Sequence, residues 1–235
     1  MSAPDSHTAR EQIVAAARLL VRAGVLSHSG HATMSVRADD NDEERMLLTA
    51  RGEIIDLNVD DIALVTFDGV VREGALTPTT WEIVAMHAGV YRARGDVSAL
   101  IHTHAPHVTA FALAHRPLPC AYEALLRCGV AANIPVAAWA PHGSDAAVQA
   151  IVDTVAAHPG TPAVLLANHG LLAFGADIVA VAGLVLAMEE AAEATLRAAA
   201  IGGALPFPPG ALAEVRARRE RFADPGAVFA AQRER

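Results

Sequence analysis

Short apolar segments typical of β-strands alternate with longer segments of helical periodicity along most of this 235-residue chain. The segments with strand character cover residues 45–49, 62–67, 97–104, 134–139 and 162–168. The segments with helical character cover residues 8–25, 78–94, 106–115, 144–158 and 177–201. This alternation predicts an α/β protein, and the hairpin signal Asp68-Gly69 indicates that some neighbouring strands are antiparallel. We therefore expect a three-layer α/β/α fold around a mixed sheet.

The basic residues restrict the chemistry, because all 18 of them are arginine and none is lysine. A Schiff-base mechanism needs a lysine amine, and so does the linkage to pyridoxal phosphate. A Walker-type phosphate-binding loop also contains a lysine. The sequence excludes all three, so carbonyl chemistry here would need another electrophile, for which a metal ion is the obvious candidate.

Composition and charge indicate a folded globular protein. The chain is 53% hydrophobic and 19% charged, which excludes a disordered chain, and its net charge of −8 argues against a nucleic-acid partner. We find no signal-peptide pattern and no uninterrupted apolar run of 18 residues, so we expect a cytoplasmic protein without a membrane partner. We also expect a single domain over residues 1–235, with a core over about 10–205 and a helical tail over 206–235.

Two histidines end the apolar strand predicted over residues 97–104. Residues i and i+2 of a strand point to the same face, so His102 and His104 present two imidazoles side by side. Such a pair suits an ion such as Zn²⁺, although two histidines that pack at a strand end and bind the backbone would give the same pattern. His169 also follows an apolar strand and precedes Gly170. Three histidines with open coordination positions would describe a catalytic metal site.

Five short sequence blocks are informative when taken together. Two of them contain these histidines, and the other three precede them in the chain. Residues 29–37 read SGHATMSVR, residues 47–56 read LLTARGEIID, and residues 77–82 read TPTTWE. Residues 102–112 read HTHAPHVTAFA, and residues 165–175 read LLANHGLLAFG. In this order they resemble the SGNxSxR, TPSG, PSSE, HTHxxxxTA and LLxNHGLLxxG segments of the class II aldolase/adducin family. The resemblance covers about residues 10–205.

The resemblance implies a largely antiparallel sheet and a homotetramer with the metal near a subunit interface. It implies that His102, His104 and His169 bind a divalent ion, most readily Zn²⁺, with Mn²⁺, Co²⁺ or Fe²⁺ as alternatives. The implied reaction is a lyase reaction, the aldol cleavage of a small anionic hydroxy-carbonyl substrate through a metal-bound enediolate. The substrate-binding residues implied are Ser29, Gly30, His31, Arg51, Gly52, Thr79 and Thr80.

Two catalytic residues also carry over from the resemblance. The acid/base glutamate of the family corresponds to Glu82, which stands one residue later than in the PSSE pattern; on a continuous helix this would rotate its side chain by about 100°. Glu82 could instead only cap a helix N-terminus. A catalytic tyrosine corresponds to Tyr122 within one residue, so Glu123 fits too, and a half-buried core tyrosine is the alternative. We interpret three glutamates as a solvated helix face: Glu189, Glu190 and Glu193.

The anion pocket departs from the family pattern at two positions. His31 replaces an asparagine and could bind a carboxylate or donate a proton. Arg51 replaces a serine and could bind a carboxylate or phosphate in bidentate fashion, or could be a solvated turn arginine. Decarboxylation of a hydroxylated carboxylate, including an aromatic one, is therefore the first alternative to aldol cleavage. Sugar-phosphate epimerisation and a non-catalytic, adducin-like role are the others, and the three histidines argue against the last.

Overall fold

The central layer of the protein is one sheet. The computed structural model describes residues 6–38 and 43–223. Across these residues the sheet contains β1 (Ala32–Arg37), β2 (Arg45–Thr49), β3 (Ile62–Thr66), β4 (Val71–Glu73), β5 (Ala99–Thr103), β6 (Val136–Ala137), β7 (Ala163–Leu166) and β8 (Gly170–Gly175). Their order is β4-β3-β2-β1-β5-β8-β7-β6, and all neighbours are antiparallel except β6 and β7. The mixed, largely antiparallel sheet is confirmed.

Helices cover both faces of this sheet. They are α1 (Ser6–Ala23), α2 (Pro78–Trp81), α3 (Val84–Ala93), α4 (Pro106–Leu113), α5 (Glu123–Arg127), α6 (Asp145–Ala157), α7 (Ile178–Ala198) and α8 (Ala211–Ala223). Helices α1, α4 and α7 pack over one face, and α3 and α6 pack over the other. The three-layer α/β/α prediction is therefore confirmed.

Alternation along the strands divides the apolar side chains between two cores. In β2, Leu47 belongs to the core under α1, α4 and α7, whereas Met46 and Leu48 belong to the core under α3 and α6. All three side chains are fully buried. Successive side chains of a strand point in opposite directions, so both faces of the sheet carry apolar side chains. Helices therefore cover both faces.

The helix predicted over residues 78–94 is divided into α2 and α3. Thr77 caps α2 by accepting a hydrogen bond from the backbone N–H of Thr80. The N–H of Ile83 then donates to the Thr80 carbonyl at 3.1 Å, which makes a tighter i→i+3 turn. Glu82 thus lies at a joint between two helices, whereas the expected rotation assumed one continuous helix.

The C-terminal part of the chain is described only as far as α8. Residues 224–235 of the predicted helical tail lie outside the described residues. Among the described helices, none combines the length and the apolar character needed to cross a membrane. The single domain over residues 1–235 stays a prediction.

A buried hydrogen-bond network lies between β1 and α3. His87 is fully buried, and its Nδ1 lies 2.7 Å from Ser35 Oγ, which in turn lies 2.8 Å from the hydroxyl of Tyr91. Burial lowers the pKa of His87 to about 3. The folded protein therefore keeps this imidazole neutral down to low pH.

This network predicts a loss of stability in mild acid. Between pH 6.5 and about 3 the unfolded chain binds a proton at His87 that the folded chain does not, so stability falls as pH falls through this window. Between pH 6.5 and pH 5, titration of His87 should lower the free energy of unfolding of the wild type by up to about 2 kcal/mol. His87→Gln should lack this contribution. Urea unfolding of both proteins at the two pH values measures the difference, because other histidines titrate equally in both. A stability difference that does not change with pH would contradict this prediction.

Candidate metal centre

The end of β5 presents two imidazoles on one side of the sheet. His102 lies within β5 and His104 one residue beyond its end. Their ring centroids are 5.0 Å apart, as expected for residues i and i+2 of a strand. β5 is a central strand, paired with β1 and β8 along its length, so the two histidines are held by a rigid element.

The turn between β7 and β8 brings a third imidazole to the same place. Asn168 adopts a left-handed conformation with φ of 57°, which asparagine tolerates better than most residues, and the chain then reverses through His169. The His169 ring centroid lies 4.7 Å from that of His102 and 4.9 Å from that of His104. Three histidines from two separate segments thus form one cluster.

Gly170 allows this close approach. A Cβ at this position would lie 2.7 Å from the carbonyl oxygen of Thr103 and 2.8 Å from Cδ2 of His104. Both distances are shorter than a carbon contact permits. The hairpin can therefore pack against the end of β5 only with glycine at its first β8 position.

Hydrogen bonding fixes which nitrogen of His102 remains for a ligand. His102 Nδ1 lies 2.9 Å from the carbonyl oxygen of Leu171, so Nδ1–H donates and the lone pair is on Nε2. Among the described residues, Nε2 of His102 and Nε2 of His104 are buried without a hydrogen-bond partner. A carbonyl behind the imidazole and a free Nε2 in front form the usual arrangement of a metal-ligating histidine.

Burial keeps these imidazoles neutral. Desolvation is the largest cause of a lowered pKa at each, followed by repulsion between the rings, and it brings the pKa of His104 and of His169 to about 4. The pKa of His102, which is fully buried, is held well below its usual range. Neutral imidazole is the form that binds a divalent ion. The donor set therefore fits such an ion.

A fourth imidazole, His31, lies against the cluster. Its ring is stacked on that of His104 at a centroid distance of 4.5 Å and lies 5.7 Å from that of His102. Ring nitrogens of His31, His102 and His104 lie within 4.8 Å of one another. From the sequence, His31 was expected in the anion pocket. Its contact with the other histidines depends on the pairing of β1 with β5, for which the sequence contains no local signal.

An open pocket of about 210 Å³ adjoins the cluster, and Glu82 and His169 both line it. The Glu82 carboxylate lies 3.8 Å from Nε2 of His142, whose ring centroid is 5.1 Å from that of His169. The apolar side of the pocket is formed by Met86, Val148 and Ile151. The pocket therefore places a carboxylate beside the imidazoles, although Glu82 and His102 are 20 residues apart in sequence.

The three segments predicted to form an anion pocket lie next to one another. The N–H of Ile54 donates to the Gly30 carbonyl, and the N–H of Thr77 donates to the Ala50 carbonyl. Arg51 Nη2 lies 3.3 Å from Asp61 Oδ2, so part of its charge is already balanced. Thr80 is buried and bonds to Thr77, whereas Ser29 and Thr79 are exposed.

Comparison with known proteins identifies the family. The family model "Class II Aldolase and Adducin N-terminal domain" matches residues 11–196. The chain belongs to the class II aldolase/adducin family. It is 32% identical over 192 residues to the 5-methylthioribulose-1-phosphate/5-deoxyribulose-1-phosphate aldolase of Rhodospirillum rubrum, covering 81% of each chain. It is 29% identical over 197 residues to the L-fuculose phosphate aldolase of Escherichia coli, covering 83% of this chain and 86% of the relative.

A solved structure agrees with the fold of this class II aldolase family. An L-fuculose 1-phosphate aldolase superposes with a TM-score of 0.76 at 24% identity, covering 94% of this chain and 98% of the other. At this identity the likeness concerns the fold. The recognition of the family from the five sequence blocks is confirmed.

Tyr122 lies apart from the pocket that Glu82 lines. Its hydroxyl donates a hydrogen bond to Glu190 at 2.9 Å, and this bond is the main reason that the pKa of Tyr122 is raised. The catalytic role of Tyr122 stays a prediction. Glu189, interpreted above as solvated, is in fact buried, because its carboxylate accepts hydrogen bonds from the backbone N–H groups of His107 and Val108 at the start of α4.

The close approach at Gly170 gives a testable prediction. Gly170→Ala should force the hairpin away from Thr103, at a cost of about 1–3 kcal/mol, and lower Tm by several degrees. It should also weaken binding of a divalent ion, because His169 and His104 move apart. Gly183→Ala is the matched control, since no described residue outside the local backbone of α7 comes within 4 Å of its added Cβ. Thermal melts with and without Zn²⁺ measure both effects, and equal Tm values for the two variants would contradict the role of Gly170.

Proposed function

We propose that this chain is a divalent-metal-dependent lyase that cleaves a carbon–carbon bond of a small ketose phosphate by a retro-aldol reaction. The observation that carries the proposal is the cluster of neutral imidazoles with free nitrogens beside the pocket carboxylate Glu82. The relatives named for 5-deoxyribulose 1-phosphate and L-fuculose phosphate support this substrate class.

His102, His104 and His169 are the residues that would hold the ion. The Leu171 carbonyl orients His102 so that its Nε2 faces the cluster. When bound, a divalent ion withdraws electron density from the substrate carbonyl and so stabilises negative charge on its oxygen. The chain contains no lysine that could do this instead.

Glu82 is the group placed to move a proton. When the bond between the carbinol carbon and the carbon next to the carbonyl breaks, the carbinol hydroxyl loses its proton and an aldehyde forms. The electron pair of the broken bond stays on the carbon next to the carbonyl, which must then be protonated. Glu82 lies on the pocket wall beside His169, and its side chain is 54% exposed. A carboxylate in this position can accept the hydroxyl proton, and the carboxylic acid so formed can protonate the carbon.

The anionic end of the substrate is assigned to the turn that contains Arg51 and Gly52. This turn touches the cluster, because a Cβ on Gly52 would lie 2.6 Å from Nδ1 of His31. The Arg51 side chain is 38% exposed and contacts Asp61 through Nη2. A guanidinium has five N–H donors, so others can bind a phosphate beside that contact.

Decarboxylation is the second candidate, and the identity of Arg51 and His31 favours it. A guanidinium binds a carboxylate as well as a phosphate, and His31 stands where aldolases of the family have an asparagine amide. The observed fold and cluster serve either reaction, since both generate negative charge next to a carbonyl or ring.

Product analysis separates these reactions. The metal-loaded protein should convert 5-deoxyribulose 1-phosphate, 5-methylthioribulose 1-phosphate or L-fuculose 1-phosphate into an aldehyde and a three-carbon keto phosphate. Carbon dioxide released from hydroxylated aromatic carboxylates would instead support the decarboxylase, and interconversion of sugar phosphates would support an epimerase. If metal-loaded protein produces no aldehyde from any of these phosphates, the aldolase proposal is wrong.

Arg51 provides a prediction for substrate binding. Arg51→Ala should raise KM for a phosphorylated substrate about tenfold and leave kcat nearly unchanged, since a hydrogen bond to a charged group is worth about 1.5–3 kcal/mol and this side chain is partly exposed. Steady-state kinetics measure the change in KM. The control is Arg22→Ala, a substitution at an exposed arginine on α1. An unaltered KM would remove Arg51 from the binding site.

A further inference from the structure

We propose that His31 is a fourth imidazole ligand of the ion, beside His102, His104 and His169. This inference rests on the proposed function, since it deepens the description of the same metal site. It differs from the three-histidine ligation implied by the sequence resemblance, and it moves His31 from the substrate pocket to the metal.

The sheet places His31 opposite the known cluster. β1 pairs with β5 so that Ala32 is opposite Thr103, and one step further His31 is opposite His104. The Thr103 hydroxyl donates a hydrogen bond to the His31 carbonyl at 3.0 Å and closes this end of the pairing. The position of His31 therefore follows from strand register and not from a mobile loop.

The His31 ring is held between two neighbours. On one side it is stacked on His104, with an angle of 18° between the ring planes. On the other side it lies against Gly52, where a Cβ would come within 2.6 Å of both Nδ1 and Cε1. A glycine at this place lets the imidazole occupy the space beside the cluster.

Three of the four imidazoles have nitrogens with the spacing of a ligand set. One ring nitrogen each from His31, His102 and His104 lie within 4.8 Å of one another. The ring of His169 adjoins this set, with its centroid 4.7 Å from that of His102 and 4.9 Å from that of His104. Within the described part of the chain, the buried Nε2 atoms of His102 and His104 have no hydrogen-bond partner, and buried polar nitrogens are rarely left in this state. A shared cation would satisfy both atoms.

Four imidazoles would change which ions suit the site. A tetrahedral Zn²⁺ held by four protein ligands has no open position for substrate. An ion that accepts five or six ligands, such as Mn²⁺, Fe²⁺ or Co²⁺, keeps one. The four-imidazole site therefore favours these ions over Zn²⁺ for catalysis.

Cobalt binding tests the proposal without any activity measurement. Metal-free wild type, His31→Asn and the control His28→Asn, an exposed histidine of the same loop, are titrated with Co²⁺ against a competing chelator. We expect His31→Asn to bind Co²⁺ at least about tenfold more weakly than wild type and to show a changed visible spectrum, whereas His28→Asn behaves as wild type. X-ray absorption of the Co²⁺-loaded proteins should count four imidazoles in the wild type and three in His31→Asn.

The outcomes separate this inference from the proposed function. An unchanged Kd and spectrum in His31→Asn, or three imidazoles in the wild type, would overturn the role of His31 and leave the three-histidine lyase intact. A rise in KM at unchanged Kd for Co²⁺ would return His31 to the substrate pocket. A wild type that binds no Co²⁺ would overturn both. The imidazole count in the wild type decides the question even if the variant folds poorly.

Discussion

His104→Ala is expected to abolish tight binding of a divalent ion and, with it, the lyase activity. His104 Nε2 is buried and has no hydrogen-bond partner in the described segments, and the centroid of its ring lies within 5.0 Å of those of His102 and His169. Loss of a residue that only supports a ligand commonly costs 10–100-fold in metal affinity, so loss of the ligand should cost more than about 100-fold. Competition with a chelator measures the affinity.

The control for this variant is His158→Ala, which removes an exposed histidine at the end of α6. His158→Ala should bind the ion as the wild type does. Circular dichroism should show that both variants are folded, because His104 lies one residue beyond the end of β5 and His158 one residue beyond the end of α6. If His104→Ala retained wild-type metal affinity, the site would lie elsewhere.

Glu82→Gln is expected to retain the metal and lose turnover. The substitution keeps the shape of a side chain that is 54% exposed, so the fold and the imidazole cluster should not change. General acid–base catalysis by a placed side chain contributes about 10²–10⁴-fold, so kcat should fall by about this factor with little change in KM. Steady-state kinetics and metal content of the same preparation measure both quantities.

Glu11→Gln, a change at an exposed glutamate on α1, is the matched control and should leave kcat unaltered. Two results would contradict the prediction for Glu82→Gln. A normal kcat would show that Glu82 takes no part in the proton transfer. A loss of metal together with activity would show that Glu82 helps to hold the ion.

The elements that carry the candidate site could be predicted because their signals are local. The apolar run that ends in His102 and His104 has the length of a buried strand, and the period of two puts both rings on one side. His169 stands between two apolar runs with Gly170 after it, and these runs are β7 and β8. Each of these predictions needed no knowledge of distant parts of the chain.

The joint between α2 and α3 could not be predicted in the same way. Residues 78–94 have helical character throughout, and the break depends on how Thr77 and Thr80 bond to each other and to the neighbouring turn. The position of Glu82 depends on this break. Helical periodicity alone therefore predicts one continuous helix through Glu82, whereas the structure has a joint there.

Contacts between distant segments account for the other differences. His31 and His104 are brought together by the register of β1 and β5, which the sequence does not specify. Glu189 stands beside Glu190 on α7, about 100° away around the helix, and lies on the buried face with Val185 and Ala192. A charged residue on that face is unexpected from sequence, and its partners, the N–H groups that begin α4, come from a distant segment.

The central claim is that the imidazole cluster holds a divalent ion, and elemental analysis of the purified, folded wild-type protein tests it most directly. After exposure to Zn²⁺, Mn²⁺ or Co²⁺ and removal of loosely bound metal, the account predicts about one ion per chain, lost on treatment with a strong chelator. Less than about one ion per three chains with every metal would contradict it.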